Sequence, residues 1–385
     1  MASSADRNSE TSGERPTNPY PTWAPRFWHG MRMGIWWRLL IRNRFRFSIP
    51  RAHIGVGVSL ISPANDLLAI SQAALWGRQI RDTEIKQPPV FIIGHWRSGT
   101  TLLHELLVTN PAFASPSTYQ CFAPSHFLMS QPWMTRFGKF LLPKQRPMDN
   151  MAAGWKLPQE DEFALMNLGL QSPYLRIAFP KSEQDVLNWL DLRLVPESEC
   201  SVWKKGFVEF LRVLTFHNAG KRLVLKSPTH TGRLGVLAEM FPGAKFVHLT
   251  REPTTMFSST MRLWDSLEQV QALGASDTPE QLENYVAECN QVMYRGFLRD
   301  RASMNDSQIV DVLYQELAQD PRGVVKRLYE ALDLGDFGDC EEALDARLEH
   351  HRDYQPNRHQ ISDEIKQKVA EYWPLYCEYF SNALV

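Results

Sequence analysis

The stretch FIIGHWRSGTTLLHELL, residues 91–107, constrains the fold of this chain more than any other. A short apolar run ends at Gly94, four residues separate it from Gly99, and two threonines open a helical pattern that Pro111 stops. Strand, glycine-bounded turn and helix, in that order, aim backbone N–H groups and the positive end of the helix at one anion. Gly94 and Gly99 permit the turn, the backbone of Ser98 lies inside it, and Thr100 and Thr101 offer hydroxyls to cap the helix. Thr100 stands where a nucleotide-hydrolysing loop carries its lysine, and Arg97 supplies positive charge instead. Asp311 is the only strand-borne candidate to hold magnesium, and its strand comes late in the chain. The loop therefore fits a phosphate-bearing donor held without a metal.

The alternation recurs along the chain. Strand patterns over 89–94, 221–227, 244–251 and 307–317 precede helical patterns over 100–110, 230–241, 254–264 and 321–334. Short connections between such elements predict an α/β fold, a P-loop-like central parallel sheet flanked by helices. Ligands of such sheets sit at the carboxyl ends of the strands, so the loops 94–100, 226–231 and 251–254 are expected to face one crevice. Residues 111–220 read as largely helical, broken by prolines, and form the acceptor side. Phe122, Phe127, Trp133, Phe137, Phe140 and Trp155 permit an apolar acceptor pocket there, although core packing produces the same pattern.

Three segments are expected: a disordered lead over 1–22, a basic and aromatic extension over 23–87, and a catalytic domain over 88–385. Between 23 and 47, six arginines alternate with Phe27, Trp28, Trp36, Trp37, Phe45 and Phe47. Such a segment either lies in a membrane interface or packs its rings on the domain while the arginines reach water. A helical pattern over 64–80 follows it. The formal net charge of −1 argues against a chain that coats nucleic acid. The five scattered cysteines have no metal-ligand spacing and read as reduced thiols of a cytoplasmic protein. No uninterrupted run of about eighteen apolar residues occurs, so no transmembrane helix is expected.

A second constellation is FVHLTREPTTMFSST, residues 246–260. Arg251 ends a strand and Ser259 lies two turns into the next helix, so a guanidinium fork and a hydroxyl can converge on a second phosphate. RSGTT early in the core, then Arg-x-Pro with a serine eight residues after that arginine, resembles the sulfotransferase superfamily over roughly residues 88–380. The resemblance implies a donor, 3′-phosphoadenosine 5′-phosphosulfate, and no metal. It gives Gly94 and the Arg97–Thr101 loop the 5′-phosphosulfate, and Arg251 and Ser259 the 3′-phosphate. Lys226, in LKSPTH, matches a lysine near the transferring sulfuryl group, and Tyr314 a position near the nucleotide end. Arg97 and Lys226 are then the candidates to stabilise the charge that builds during transfer.

The acceptor hydroxyl or amine must lose a proton. Relatives often place a glutamate about twenty residues after the loop arginine, where this chain has Gln120. The replacement candidates are Glu160 and Glu162 in LPQEDEFALMN, with His230 as an outsider; acids in a first helical turn also arise from macrodipole stabilisation alone. His104 reads as structural. Arg358 and Lys366 lie in a late basic segment of the kind that closes donor sites in the family, or else on a solvated helix face. Small-molecule, lipid and carbohydrate acceptors all stay open. Two rivals stand beside this reading: a nucleotide kinase with a degenerate loop, and a non-catalytic membrane-surface protein that kept the fold.

Overall fold

In a computed structural model of the chain, the apolar run Val90–Ile93 is β1, the middle strand of a five-stranded sheet. The structure describes residues 20–21, 23–143, 152–182, 186–351 and 362–383. All four β1 residues are buried, which is why the run is continuously apolar: both faces of the sheet are covered. Phe91 and Ile93 enter one core, Val90 and Ile92 the other, as the period of a strand dictates. Phe113–Ala114 (β2), Arg222–Lys226 (β3), Lys245–Thr250 (β4) and Ile309–Leu313 (β5) complete the sheet. The order is β2-β3-β1-β4-β5 and every pairing is parallel, with Val90 beside Val224 on one side and Lys245 on the other. β3 and β4 flank β1 on opposite sides, so the crossovers part at its carboxyl end and leave a crevice there.

The helices, in chain order, are α1 (Met33–Arg42), α2 (Ala52–Arg81), α3 (Thr100–Leu107), α4 (Thr118–Phe122) and α5 (Phe127–Phe137). Then come α6 (Asp161–Asn167), α7 (Glu197–His217), α8 (Leu234–Met240), α9 (Pro253–Gln271) and α10 (Pro279–Arg301). The last are α11 (Tyr314–Gln319), α12 (Pro321–Leu332), α13 (Glu341–His351), α14 (Asp363–Tyr372) and α15 (Pro374–Ala383).

Several expected boundaries shift. The strand expected over 307–317 ends at Leu313, and Tyr314 opens α11; Gln315, Glu316, Leu317 and Ala318 are good helix formers. The two-residue edge strand β2 has no pattern long enough to read. The helix expected over 64–80 starts at Ala52 and runs through Pro63, whose missing N–H costs one helical bond without stopping the helix. With the turn before it, this helix is long and apolar enough, by length and composition, to cross a membrane, contrary to the expectation of no such helix; 33% of its apolar window is buried. Ser62, Asn65, Asp66 and Gln72 interrupt the run that a search for unbroken apolarity requires.

Residues 23–81 share the core of the sheet. Trp28 and Trp36 are fully buried in the cluster that holds Phe91. Trp28 Nε1 donates to the Gln271 carbonyl at 2.7 Å, and Arg51 Nη1 to that of Gly274 at 2.7 Å. The packing reading of 23–47 describes Trp28, Trp36, Leu39 and Leu40, while Trp37, Ile41 and Phe45 remain exposed. The lead over 1–22 lies outside the described residues except for Tyr20 and Pro21.

Candidate active site

Two glycines shape the turn after β1. Gly94 has φ +137°, and a Cβ there would meet the Leu249 carbonyl oxygen at 2.5 Å. Gly99 has φ +105°, and its Cβ would meet the Tyr314 ring at 2.5 Å. Arg97 itself sits in left-handed backbone at φ +69°, a conformation that costs an L-residue energy and turns its side chain out of the strand line. The first bond along α3 runs from Leu103 N to Gly99 O at 3.3 Å. By helix geometry the N–H groups of Thr100, Thr101 and Leu102 therefore point out of the helix end. The expectation that the threonine hydroxyls cap α3 is corrected: Gly99 is the N-cap residue and receives no side-chain cap. Thr101 Oγ1 instead accepts from Lys226 Nζ at 3.4 Å. Ser98 Oγ is buried and finds no partner among the described residues.

The second constellation touches the first. Arg97 Nε donates to Ser259 Oγ at 2.9 Å, and Arg251 Nη1 donates to the Arg97 carbonyl at 3.0 Å. The Arg251 guanidinium lies 4.3 Å above the Tyr314 ring, within cation–π range. Tyr376 on α15 clasps the Arg251 backbone, accepting from its N–H at 2.9 Å and donating to its carbonyl at 2.6 Å. Arg97, Gly99, Thr100, Thr101, Glu160, Arg251 and Tyr314 thus line one crevice at the carboxyl ends of β1 and β4. Its other wall is apolar, built by Phe27, Leu142, Phe163, Leu263, Leu267 and Val270.

Behind the crevice lining Lys226, the last residue of β3 and 2% exposed, donates to Oε1 of the lining residue Glu160 at 2.7 Å. Glu160 Oε2 accepts from the Tyr174 hydroxyl at 2.5 Å, and that hydroxyl accepts from Trp96 Nε1 at 2.8 Å. Burial, and then the charge of Glu160, push the Tyr174 phenol well above its usual range, so it stays protonated and donates.

The neighbours of Glu160 do other work, and the readings of Glu162 and His230 as bases are corrected. Asp161, Glu162 and His230 are fully buried and none lines the crevice. His230 Nε2 bonds Asp161 Oδ2 at 2.6 Å, and Ser227 Oγ donates to Asp161 at 3.0 Å. Arg233 grips Glu162 through two nitrogens at 2.6 and 3.1 Å, and Thr229 Oγ1 adds 2.8 Å. Burial alone raises both carboxyls, but His230 for Asp161 and Arg233 for Glu162 hold them below the usual carboxylate range. Together these pairs tie the turn after β3 to the start of α6, which fixes Lys226 against Glu160.

Gln120, found where a glutamate is expected, closes a capping box with Ser117 and donates to Gln131 at 3.0 Å. His104 is buried beside Ser115 Oγ at 2.7 Å; burial, then the charge of Lys226, lower it to about 3, and it is neutral at physiological pH. Against the upward push of burial, hydrogen bonding to His248 lowers Asp311 to about 2, with Tyr379 and Arg301 also in contact. None of the six aromatic residues proposed for the acceptor pocket lines the crevice: Phe127 and Trp155 are core, Phe122 packs on it, and Trp133, Phe137 and Phe140 face solvent. Lys366 is paired with Asp363 on the surface of α14, away from the crevice lining, and Arg358 lies outside the described residues. Among the described residues no three His, Cys, Asp or Glu side chains are grouped to hold a metal ion.

Sequence reading missed Tyr174 and Tyr376. Tyr174 follows Ser172 and Pro173 with no periodicity that aims it, and Tyr376 lies 125 residues from Arg251. Trp96, inside the loop itself, was the one available signal.

Comparison with known proteins agrees with this geometry. The model of the sulfotransferase family matches residues 88–339. Omega-hydroxy-beta-dihydromenaquinone-9 sulfotransferase Stf3 of Mycobacterium bovis is 39% identical over 351 residues, covering 91% of this chain and 90% of the relative. The protein of the same name from Mycobacterium tuberculosis gives the same figures. Among solved structures, sulfotransferase STF9 from Mycobacterium avium shares the fold at a TM-score of 0.66 and 19% identity, over 92% of this chain and 96% of its own. Sulfotransferase STF1 from Mycobacterium tuberculosis does so at 0.60 and 20%, over 88% and 90%.

Proposed function

This chain belongs to the sulfotransferase family, and from that premise we propose that its crevice binds 3′-phosphoadenosine 5′-phosphosulfate and sulfates a hydroxyl of an apolar, lipid-like acceptor. As a sulfotransferase it moves a sulfuryl group from donor to acceptor, which sets aside the kinase and the non-catalytic readings. The donor, when bound, supplies a sulfuryl group on a phosphate that leaves as a stable anion. The N–H groups at the head of α3 and the Arg97 guanidinium hold the 5′ end, and Arg251, Ser259 and Tyr314 hold the 3′-phosphate end. These donors suit two phosphates because they are fixed before the ligand arrives and lose little freedom on binding.

Glu160 is the general base. It takes the acceptor hydroxyl proton as the acceptor oxygen bonds to sulfur and the bond from sulfur to the bridging phosphate oxygen breaks. Lys226 offsets the charge on that bridging oxygen. The single observation behind this assignment is the position of Lys226 Nζ, 2.7 Å from Glu160 and 3.4 Å from Thr101, where the carboxylate, the ammonium and the head of the phosphate helix meet. Asp161, Glu162, His230 and Arg233 are positioning residues. The apolar wall from Phe27 to Val270 supports a lipid-like acceptor, and the Stf3 relatives are named for a hydroxylated menaquinone derivative. The test is transfer of radiolabel from the donor to a lipid extract, wild type beside Arg97→Ala. A labelled lipid from wild type alone is expected; labelling confined to carbohydrate or phenolic acceptors would reassign the acceptor class.

A further inference from the structure

Helix α2 is built inside out. Its polar side chains Ser62, Asn65 and Gln72 are buried against the domain. Asn65 Nδ2 donates to the carbonyls of His29 and Met31 at 2.7 and 2.9 Å, and Gln72 accepts from Leu128 N at 2.8 Å while donating to the Ser125 carbonyl at 3.1 Å. Ile54, Val58 and Ala69 are buried beside them, but a run of larger apolar side chains points away: Leu60 is 75% exposed, Leu67 66% and Ile70 61%. Positions 56, 60, 63, 67, 70 and 74 keep one helical stripe, about 27 Å long at 1.5 Å per residue. A helix in water buries such a stripe; here it faces out while Ser62, Asn65 and Gln72 face in.

The flanking helices also expose apolar side chains. α1 packs on α2 through Arg32 and Asp66 and through Trp36 and Ser59, and it turns Trp37 and Ile41 outward. α5 packs on α2 through Gln72 and exposes the stacked rings of Trp133 and Phe137. Of the seventeen large hydrophobic side chains exposed among the described residues, fifteen lie in 23–75 or 133–140, so the exposed apolar surface is one region, not scatter. That region is also basic. Residues 23–81 hold nine arginines and a single acid, Asp66, and residues 106–148 hold four cations and no acid, in a chain whose net charge is −1.

We infer that the layer of α1, α2 and α5 seats on an anionic phospholipid bilayer, with the α2 stripe among the acyl chains and the arginines at the headgroups. An apolar face ringed by cations has the chemistry of an interfacial helix, and anionic lipid complements it. A second copy of this chain complements it poorly, because exposed arginines such as Arg38 and Arg42 would face their own copies. Nor does α2 cross the bilayer: its inner face is bonded to the domain through Asn65 and Gln72. The crevice wall includes Phe27, just before α1, and Leu142, just after the turn that follows α5, so the acceptor side borders the same layer. The inference does not depend on which acceptor is sulfated, since vesicle binding is measured without turnover.

The experiment is flotation of the full chain with vesicles of phosphatidylcholine containing one-third phosphatidylglycerol, against phosphatidylcholine alone. Binding to the anionic vesicles is expected, weakened by salt and lowered at least tenfold by Leu60→Glu/Leu67→Glu/Ile70→Glu and by Arg38→Glu/Arg42→Glu. Unchanged binding of the triple variant overturns the inference. So does a dimer in light scattering that this variant dissolves, with no vesicle binding by wild type. Should the triple variant unfold, an environment-sensitive dye on Ile70→Cys decides. It is expected to shift to the blue with anionic vesicles while the same dye on Glu330→Cys does not, and equal responses again overturn the seat.

Discussion

Replacing Arg251 by alanine removes the guanidinium that donates to the Arg97 carbonyl and lies on the Tyr314 ring, while leaving the backbone clasp of Tyr376 in place. A hydrogen bond to a charged group is worth about 1.5–3 kcal/mol, which is about a tenfold to hundredfold loss of affinity at about 1.4 kcal/mol per decade. The assay is calorimetric titration with adenosine 3′,5′-bisphosphate and with adenosine 5′-monophosphate, which lacks the 3′-phosphate. Wild type should prefer the bisphosphate by that factor, and Arg251→Ala should bind both nucleotides alike, because the contact is gone from one side or the other. Arg251→Lys should recover part of the preference, since a point charge replaces a fork. An equal loss for both ligands would refute the 3′-phosphate assignment and make Arg251 a brace for the Arg97 loop.

Lys226→Ala should slow turnover by more than it weakens binding of the bisphosphate product, checked by steady-state kinetics beside titration; the reverse pattern would make Lys226 a binding residue only. Arg233→Met leaves Glu162 buried without its cation and should destabilise the fold by about 3–5 kcal/mol in denaturant unfolding, with much of that restored by adding Glu162→Leu. Stability should also fall with acid. Burial lowers His95 to about 4 and His104 to about 3, below the unfolded value of 6.5. Between those values the unfolded chain binds protons that the folded chain refuses, so stability declines as pH falls from 6.5 toward 4. His95 alone contributes on the order of 3 kcal/mol. A melting temperature flat across that window would contradict the neutral, buried placement of both rings.

Much of the proposed donor side was legible because it is local. Gly94, Arg97, Gly99 and the threonines are bound to one turn by strand and helix periodicity, and Arg251 and Ser259 follow the same grammar one unit later. The acceptor side was less legible because it is assembled from distant pieces. Glu160 and Glu162 had equal claim in sequence; only the fold separates the one facing the crevice from Glu162, buried and gripped by Arg233. The apolar wall takes residues from 27, 142, 163 and 263–270, a set no periodicity links. The inverted pattern of α2 was misread for a simpler reason: polar residues on its inner face broke the apolar run, and sequence alone does not say which face is inner.

The most direct measurement is the turnover of Glu160→Gln beside its affinity for adenosine 3′,5′-bisphosphate. The amide keeps the size of the side chain and a hydrogen-bond acceptor for Tyr174 but cannot take a proton. With Glu160 as the base, turnover drops by about a hundredfold or more, while nucleotide affinity stays within a few-fold of wild type. Near-normal turnover in this variant would show that the acceptor proton leaves by another route and that Glu160 merely holds Lys226 in place.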